Sequence, residues 1–331
     1  MKTNRSLLIS ELAEEAASGR GISGKSALKL SELPPEDKRD LLVLTARLRE
    51  RASGSRVFLC SIINAKSGRC GEDCRFCAQS AHYKTGAKIY PLVSVEEMAG
   101  AARSARENRA REFGIVTSGK AVADSEEVER IAEAIAEIAA LGIHPCISPG
   151  IADEAALKRW QAAGLTRYHH NLEAAPSFFP AVCSTHRIEE DLESLQAAKA
   201  AGLPVCSGGI FGMGESWAQR VELALLLKEL QVDSVPLNFL DPIPGTPMAE
   251  TAPGIGPWEA LKTIALFRLM MPDQRIIICG GRMKALGERQ AEMFAAGANG
   301  LMIGNYLTTL GRPPAADLEM LSGLGLEPAA P

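Results

Sequence analysis

Short runs of apolar and β-branched residues recur along this chain, each followed by a longer stretch whose apolar positions fall at helical spacing. Eight such runs can be counted, near Val57 to Ile63, Phe113 to Thr117, Ile143 to Ser148, Arg167 to Leu172, Pro204 to Ile210, Ser234 to Leu240, Arg275 to Cys279 and Gly300 to Gly304. Between them Glu126 to Leu141 reads as an amphipathic helix, with Ser125 as N-cap and Gly142 as stop, and Trp217 to Leu230 as another. Regular strand and helix alternation predicts a parallel sheet, and eight repeats predict an α/β fold of the closed (β/α)8 TIM-type barrel kind over residues 56–311. An open doubly wound sheet is the alternative. Residues 1–55 do not share the repeat and read as an N-terminal helical extension, broken at Pro34-Pro35 before Glu36 to Arg51 and expected to plug or cap the barrel's N-terminal side. Residues 312–331 form a tail rich in Pro, Ala and Gly, with one helix near Ala316 to Leu321 and a loose end.

Composition narrows the function classes. The 331 residues are 46% hydrophobic, enough for one large core, yet no apolar run approaches the roughly 20 residues of a membrane span. Lys plus Arg number 36 against 40 Asp plus Glu, a net charge of -4 that carries no nucleic-acid footprint. Arg103, Arg106, Arg109 and Arg111 cluster, but Glu107 and Glu112 are interleaved with them, as on a solvated helix face. The N-terminus has no charged-then-apolar export signal, which points to the cytoplasm, where thiols stay reduced.

The chemistry concentrates in Cys70-Gly-Glu-Asp-Cys74-Arg-Phe-Cys77. Three thiolates on one short loop bind three irons of a 4Fe-4S cube and leave the fourth open to chelate a small molecule and pass it an electron. Zinc is the competing reading, with His82 as a fourth ligand. A disulfide fits poorly with eight cysteines spread through a chain lacking a secretory segment.

A barrel builds its site where strands end. Asn171 and Glu173 close the fourth run, Cys206 lies in the fifth, Asn238 in the sixth and Cys279 at the end of the seventh, while Cys60 and Cys146 lie in the first and third. Cys60, Cys146, Cys206 and Cys279 could together bind a second cluster, although each taken singly is also a good small core residue. Cys183 lies outside the runs and reads as a loop thiol. The amides of Asn171 and Asn238 suit a ureido ring better than a charged group, with a buried asparagine satisfied by backbone as the alternative for each. Gly208 to Glu215 is a glycine-rich turn after the fifth run and a weak phosphate cradle, since no Lys-Ser or Lys-Thr follows. His169 and His170 read as structural, because neighbours on a strand point to opposite sides.

With Phe76 before its last cysteine, the loop resembles that of the radical S-adenosylmethionine (SAM) enzymes. That likeness implies that SAM chelates the open iron and is split reductively to a 5'-deoxyadenosyl radical, which abstracts hydrogen from unactivated carbon. Further stretches narrow the resemblance to the biotin synthase family from about Leu44 to Leu310: Ala65-Lys66-Ser67-Gly68, Gln79-Ser80, Tyr83-Lys84-Thr85-Gly86, His170-Asn171-Leu172, Val205-Cys206-Ser207-Gly208-Gly209, Ser234-Val235-Pro236-Leu237-Asn238, Gly245-Thr246-Pro247, Met270-Met271-Pro272 and Ala296-Gly297-Ala298-Asn299. The resemblance implies conversion of dethiobiotin to biotin, with sulfur drawn from an auxiliary cluster deep in the barrel. In the best-known members that cluster is 2Fe-2S on three cysteines and one arginine. Cys146 and Cys206 match two of those positions, whereas Gly114 and Ile277 stand where a cysteine and the arginine would be. Cys60 and Cys279 are extra thiols nearby, so a relocated or larger auxiliary cluster is expected, with Cys146 and Cys206 at the reacting end. The resemblance further implies that Gly209, Gly212, Gly214 and Glu215 lie against the adenine and that Glu173 holds the ribose hydroxyls. Asp191 replaces an arginine that serves the methionyl carboxylate in some members, leaving Arg187 or His186 for that task.

Sister radical enzymes, such as a hydrogenase-cofactor maturase or methylornithine synthase, share the loop but need no sulfur donor deep in the barrel. A non-catalytic iron-sulfur carrier would have no use for an open iron. The family resemblance also implies a small-protein electron donor such as flavodoxin or ferredoxin, and a homodimer.

Overall fold

A computed structural model describes residues 4–330. Its strands are β1 (Arg56–Lys66), β2 (Glu112–Thr117), β3 (His144–Ser148), β4 (Arg167–His169), β5 (Val205–Cys206), β6 (Gly209–Phe211), β7 (Ser234–Phe239), β8 (Arg275–Ile278), β9 (Gly300–Met302) and β10 (Glu327–Pro328). The first nine run parallel around a ring that closes where Phe58, Leu59 and Cys60 of β1 pair with Gly300, Leu301 and Met302 of β9. That closure makes the (β/α)8 barrel and excludes the open sheet. β5 and β6 are two pieces of one stave, both paired with β7. The interruption falls at Gly208, where a Cβ would sit 1.9 Å from the Pro236 carbonyl oxygen, so only glycine admits the approach.

Burial on both faces accounts for the strand sequences: Ile276, Ile277 and Ile278 are consecutive and all buried in β8. The outer helices bury one stripe. In Ser125–Ala140, Ile131, Ile135 and Ile138 face the barrel at 3–4 spacing. Its cap is Asp124, which accepts from the Glu126 N–H at 2.8 Å, so Ser125 is the first helical residue instead. Among the described residues no helix is long and apolar enough to cross a membrane.

Three further expectations change. The N-terminal extension, helices Asn4–Ala17, Gly24–Lys29 and Lys38–Ser53, lies along the barrel's outer helices and not across its end. The reason is the helix Pro257–Met270, in which every residue from 260 to 270 is buried. A helix buried on all sides, with only Lys262, Thr263 and Arg268 polar in that stretch, needs a second cover. The extension supplies it, docking Ile22 N–H on the Leu269 carbonyl at 2.9 Å and accepting from Trp217 Nε1 at the Ala27 carbonyl at 2.9 Å. The tail is not loose: β10 pairs with Arg56 and Val57, and Ala329 N–H donates to the Val57 carbonyl at 2.8 Å. Glu112 is on no solvated helix face; the helix Val95–Glu107 has ended, and Glu112 opens β2 with its side chain 13% exposed.

Candidate functional site

The loop after β1 holds its thiols by neighbouring backbone bonds: Cys70 N–H to the Gln79 carbonyl (3.0 Å), Ala81 N–H to the Cys70 carbonyl (2.7 Å) and Cys77 N–H to the Cys74 carbonyl (2.9 Å). Cys70, Cys74 and Cys77 all open on one cavity of about 220 Å³ at the barrel mouth, shared with His170, Glu173 and Asp191. His82, the fourth ligand a zinc site would use, is exposed, hydrogen-bonds the Gly71 carbonyl at 2.9 Å and does not line this cavity. Burial pushes the Cys77 thiol up to about 11. Cys74 is raised further, first by its bond to Cys183 and then by burial. Such thiols ionise onto a metal and not into water. Three of them facing a common space fit a cluster with one corner open.

A second cavity, of about 290 Å³, occupies the barrel interior, with Cys77, Asn171 and Glu173 lining both. Cys60, Cys146, Cys206 and Cys279 come together around it from β1, β3, β5 and the end of β8. Burial drives all four thiols up, Cys206 to about 11. Gly114 and Ile277 line the same space. Ile277 also packs over Gly300, where a Cβ would lie 2.7 Å from its Cγ1. Four thiols on one cavity fit an iron-sulfur group.

Glu173 stands between the cavities in a left-handed conformation (φ +60°), uncommon for a residue with a side chain. Its backbone is pinned to the broken stave, the Ile210 N–H donating to its carbonyl at 2.9 Å. Desolvation raises its carboxyl to about 8. Asn171 Oδ1 accepts from the Gly208 N–H at 3.1 Å and Asn238 Oδ1 from the Gly280 N–H at 2.9 Å, so backbone occupies both acceptors and leaves mainly Nδ2–H donors for the cavity.

The structure places several of the expected site residues elsewhere than at the two cavities, and brings others to them. Gly209, Gly212, Gly214 and Glu215 line neither cavity; of that turn only Ile210 does. The Glu215 carboxylate accepts from the Gly212 and Met213 N–H groups and pairs with Arg220 at 2.8 Å, so it braces the turn itself. Gly209 is needed because a Cβ there would sit 2.7 Å from the Glu173 carbonyl oxygen. Arg187 is exposed at a helix start and lines neither cavity, whereas Lys120 and His186 do line the mouth. His169 and His170 both reach the mouth cavity, because β4 ends at His169 and strand alternation lapses there. Burial lowers His169 to about 4, and His170 Nε2 lies 2.8 Å from Asp191 Oδ1.

Sequence reasoning missed two clusters. Cys183 is buried beside Cys74 and within 3.2 Å of Asp73 Oδ1 and His186 Nδ1. Burial tends to raise Asp73, but hydrogen bonds from Ser184 hold it well below the usual carboxylate range. Glu112, Arg167 and Arg275 meet at the barrel floor. Each is the first residue of its strand, a position where a charge ordinarily faces solvent.

Residues 65–227 match the Radical SAM superfamily, and residues 236–327 match the Biotin and Thiamin Synthesis associated domain. The chain is 51% identical over 321 residues to the biotin synthase of Citrifermentans bemidjiense, covering 97% of each chain. It is 52% identical over 316 residues to the biotin synthase of Geobacter sulfurreducens, covering 95% of this chain and 96% of that one. The chain belongs to the biotin synthase family. Its function is biotin synthesis, and it is an enzyme, not an iron-sulfur carrier. Membership implies a 4Fe-4S cluster and SAM. Two solved structures share the barrel alone: a methylornithine synthase (TM-score 0.83, 20% identity, 96% of this chain and 97% of that one) and the FeFe-hydrogenase maturase HydG from Carboxydothermus hydrogenoformans (TM-score 0.81, 18% identity, 98% and 80%).

Proposed function

We propose that the chain inserts sulfur into dethiobiotin with two iron-sulfur sites stacked along the barrel axis. Cys70, Cys74 and Cys77 hold the 4Fe-4S cluster at the mouth, and Cys60, Cys146, Cys206 and Cys279 hold an auxiliary cluster at the floor. When bound, the first supplies the electron that splits SAM and the second supplies the sulfur.

The protein's own part is placement and exclusion. Glu173, between the two cavities, accepts the ribose hydroxyls of SAM. Asn171 and Asn238 spend their amide oxygens on backbone N–H groups and offer N–H donors to the ureido carbonyl, an acceptor. Lys120 and His186, the basic groups at the mouth besides His169 and His170, serve the methionyl carboxylate in place of Arg187. Barrel walls keep water and other hydrogen donors from a primary carbon radical. Half-exposed loop cysteines suit electron delivery by a small protein such as flavodoxin or ferredoxin. A cytoplasmic homodimer belongs to the same reading.

One observation supports this above the others: four cysteines from four staves face a single cavity directly beneath the three-cysteine loop. The test is anaerobic reconstitution of the Cys146→Ala/Cys206→Ala variant, with iron and sulfide counts and product assays. It should lose the auxiliary share of iron and all biotin formation while still releasing 5'-deoxyadenosine. Iron content equal to the unaltered chain would refute the floor site.

A further inference from the structure

We propose that Arg167 is a positioning residue of the floor site, its Nε–H donating to a sulfur of the auxiliary cluster while Glu112 and Ser234 aim it. The inference rests on the two-site reading above. Arg167 opens β4 and lines the floor cavity with its side chain 10% exposed. Nη1 donates to Ser234 Oγ at 3.3 Å and Nη2 to Glu112 Oε1 at 3.4 Å, both long bonds. Nε lies 3.3 Å from Glu112 Oε2 but off the hydrogen-bond line, and it is buried with no partner. Glu112 is better engaged elsewhere, accepting from Arg275 Nη1 at 2.6 Å.

Charge counting shows why this is unusual. Two guanidiniums share one carboxylate, which leaves one positive charge uncompensated among Glu112, Arg167 and Arg275. A buried, charged N–H without an acceptor is costly, so the arrangement calls for an anionic acceptor in the cavity. Strand register puts sulfur within reach: Arg167 pairs with Cys146 across β3 and β4, Ser234 with Cys206 across β5 and β7, and Glu112 with Cys60 across β1 and β2. Four thiolates outweigh the charge of an oxidised iron-sulfur core, so the occupied floor is net negative and accepts from Nε–H. Hydrogen bonds to cluster sulfur raise the reduction potential and fix which sulfur faces the substrate. A purely structural Arg167 would only bolt β2 to β4 across the barrel.

The two roles separate by potential. The full chain, Arg167→Lys, Arg167→Gln and Glu112→Gln/Arg167→Gln are reconstituted anaerobically and compared by iron and sulfide counts, by melting temperature and by redox titration of the auxiliary cluster, with the loop cluster's signal as internal reference. The double variant removes one charge of each sign, so it keeps the floor's net charge, now carried by Arg275 alone. Expected is a shift of the auxiliary potential to more negative values, largest in Arg167→Gln, or selective loss of auxiliary iron from a chain that still melts cooperatively. Auxiliary potential and iron content unchanged in all three variants would overturn the proposal, and so would a failure of even Arg167→Lys to fold, which would mark a bolt. Should the unaltered chain bind only the loop cluster's iron, the two-site reading itself fails, and the proposal with it.

Discussion

The barrel's mouth and its floor each gather cysteines, by opposite means. At the mouth, three thiols lie within Cys70–Cys77, held by hydrogen bonds between near neighbours and half-exposed. At the floor, four thiols are drawn from positions between Cys60 and Cys279 and meet only because the staves close in one register. The first site is a property of a peptide; the second is a property of a topology. Cys206 and Cys279 of the floor are buried, whereas all three loop thiols are partly exposed. A loop can admit a cofactor and an electron donor, whereas a closed barrel can isolate what it holds from water.

The largest effect should come from breaking one site while leaving the other. Cys74→Ala removes one of the three thiols proposed to hold the loop cluster, so both 5'-deoxyadenosine and biotin should fall to background while floor iron stays near its usual content. Iron and sulfide counts with product chromatography measure this. If the single change also empties the floor, the sites are not independent and the contrast between them is wrong.

Glu173 tests the boundary between them. Charge-assisted hydrogen bonds are worth about 1.5–3 kcal/mol, so Glu173→Gln should weaken SAM binding by roughly ten- to a hundredfold. The sign of the pH dependence follows from its acidity. Desolvation raises the carboxyl to about 8, so the empty site is mostly protonated at neutral pH. Ionised Glu173 is the acceptor the ribose hydroxyls need. Affinity for SAM should therefore rise as pH rises through about 8, and the Gln variant should show no such rise. Equilibrium binding from pH 6.5 to 9 (values set by roughly a pH unit and more either side of that titration) decides it, and a flat profile in the unaltered chain would remove Glu173 from the cofactor pocket.

The two regions also differ in how far the sequence reveals them. Strand and helix alternation sufficed for the barrel because parallel strands buried on both faces leave apolar runs such as Ile276–Ile278. The loop was legible because its ligands are contiguous. The four strand cysteines could be suspected, but Arg167 and Glu112 were not, since a charge at a strand start reads as solvent until ring closure turns it inward. Glu112 was accordingly placed with a surface arginine cluster. Arg187 and the Gly212 to Glu215 turn lie outside both cavities for a related reason. Proximity in sequence to Asp191 or to β6 does not say whether a side chain turns toward the cavity or, like Glu215, back on its own turn. Cys183 was set aside because only folding brings it against Cys74.

β1 joins the two regions, with Cys60 near its base and Cys70 just beyond its far end, so a disturbance at the base should separate them. Removing residues 327–331 deletes β10 together with the bonds from Glu327 N–H to the Ser55 carbonyl (3.0 Å) and from Ala329 N–H to the Val57 carbonyl (2.8 Å). At about 1 kcal/mol each, these bonds are small against the whole fold, and the melting temperature should drop by only about 2–4 °C. The consequence should still be one-sided. Fraying at Arg56 and Val57 reaches Cys60 three residues further along β1, whereas the mouth loop is held by its own hydrogen bonds to Gln79 and Cys74. Amide exchange should therefore quicken at the base of β1, and auxiliary iron should be lost sooner on mild chelation, with loop-cluster iron retained. Equal loss from both sites would mean that β1 transmits the disturbance along its full length, and that the mouth depends on the barrel as much as the floor does.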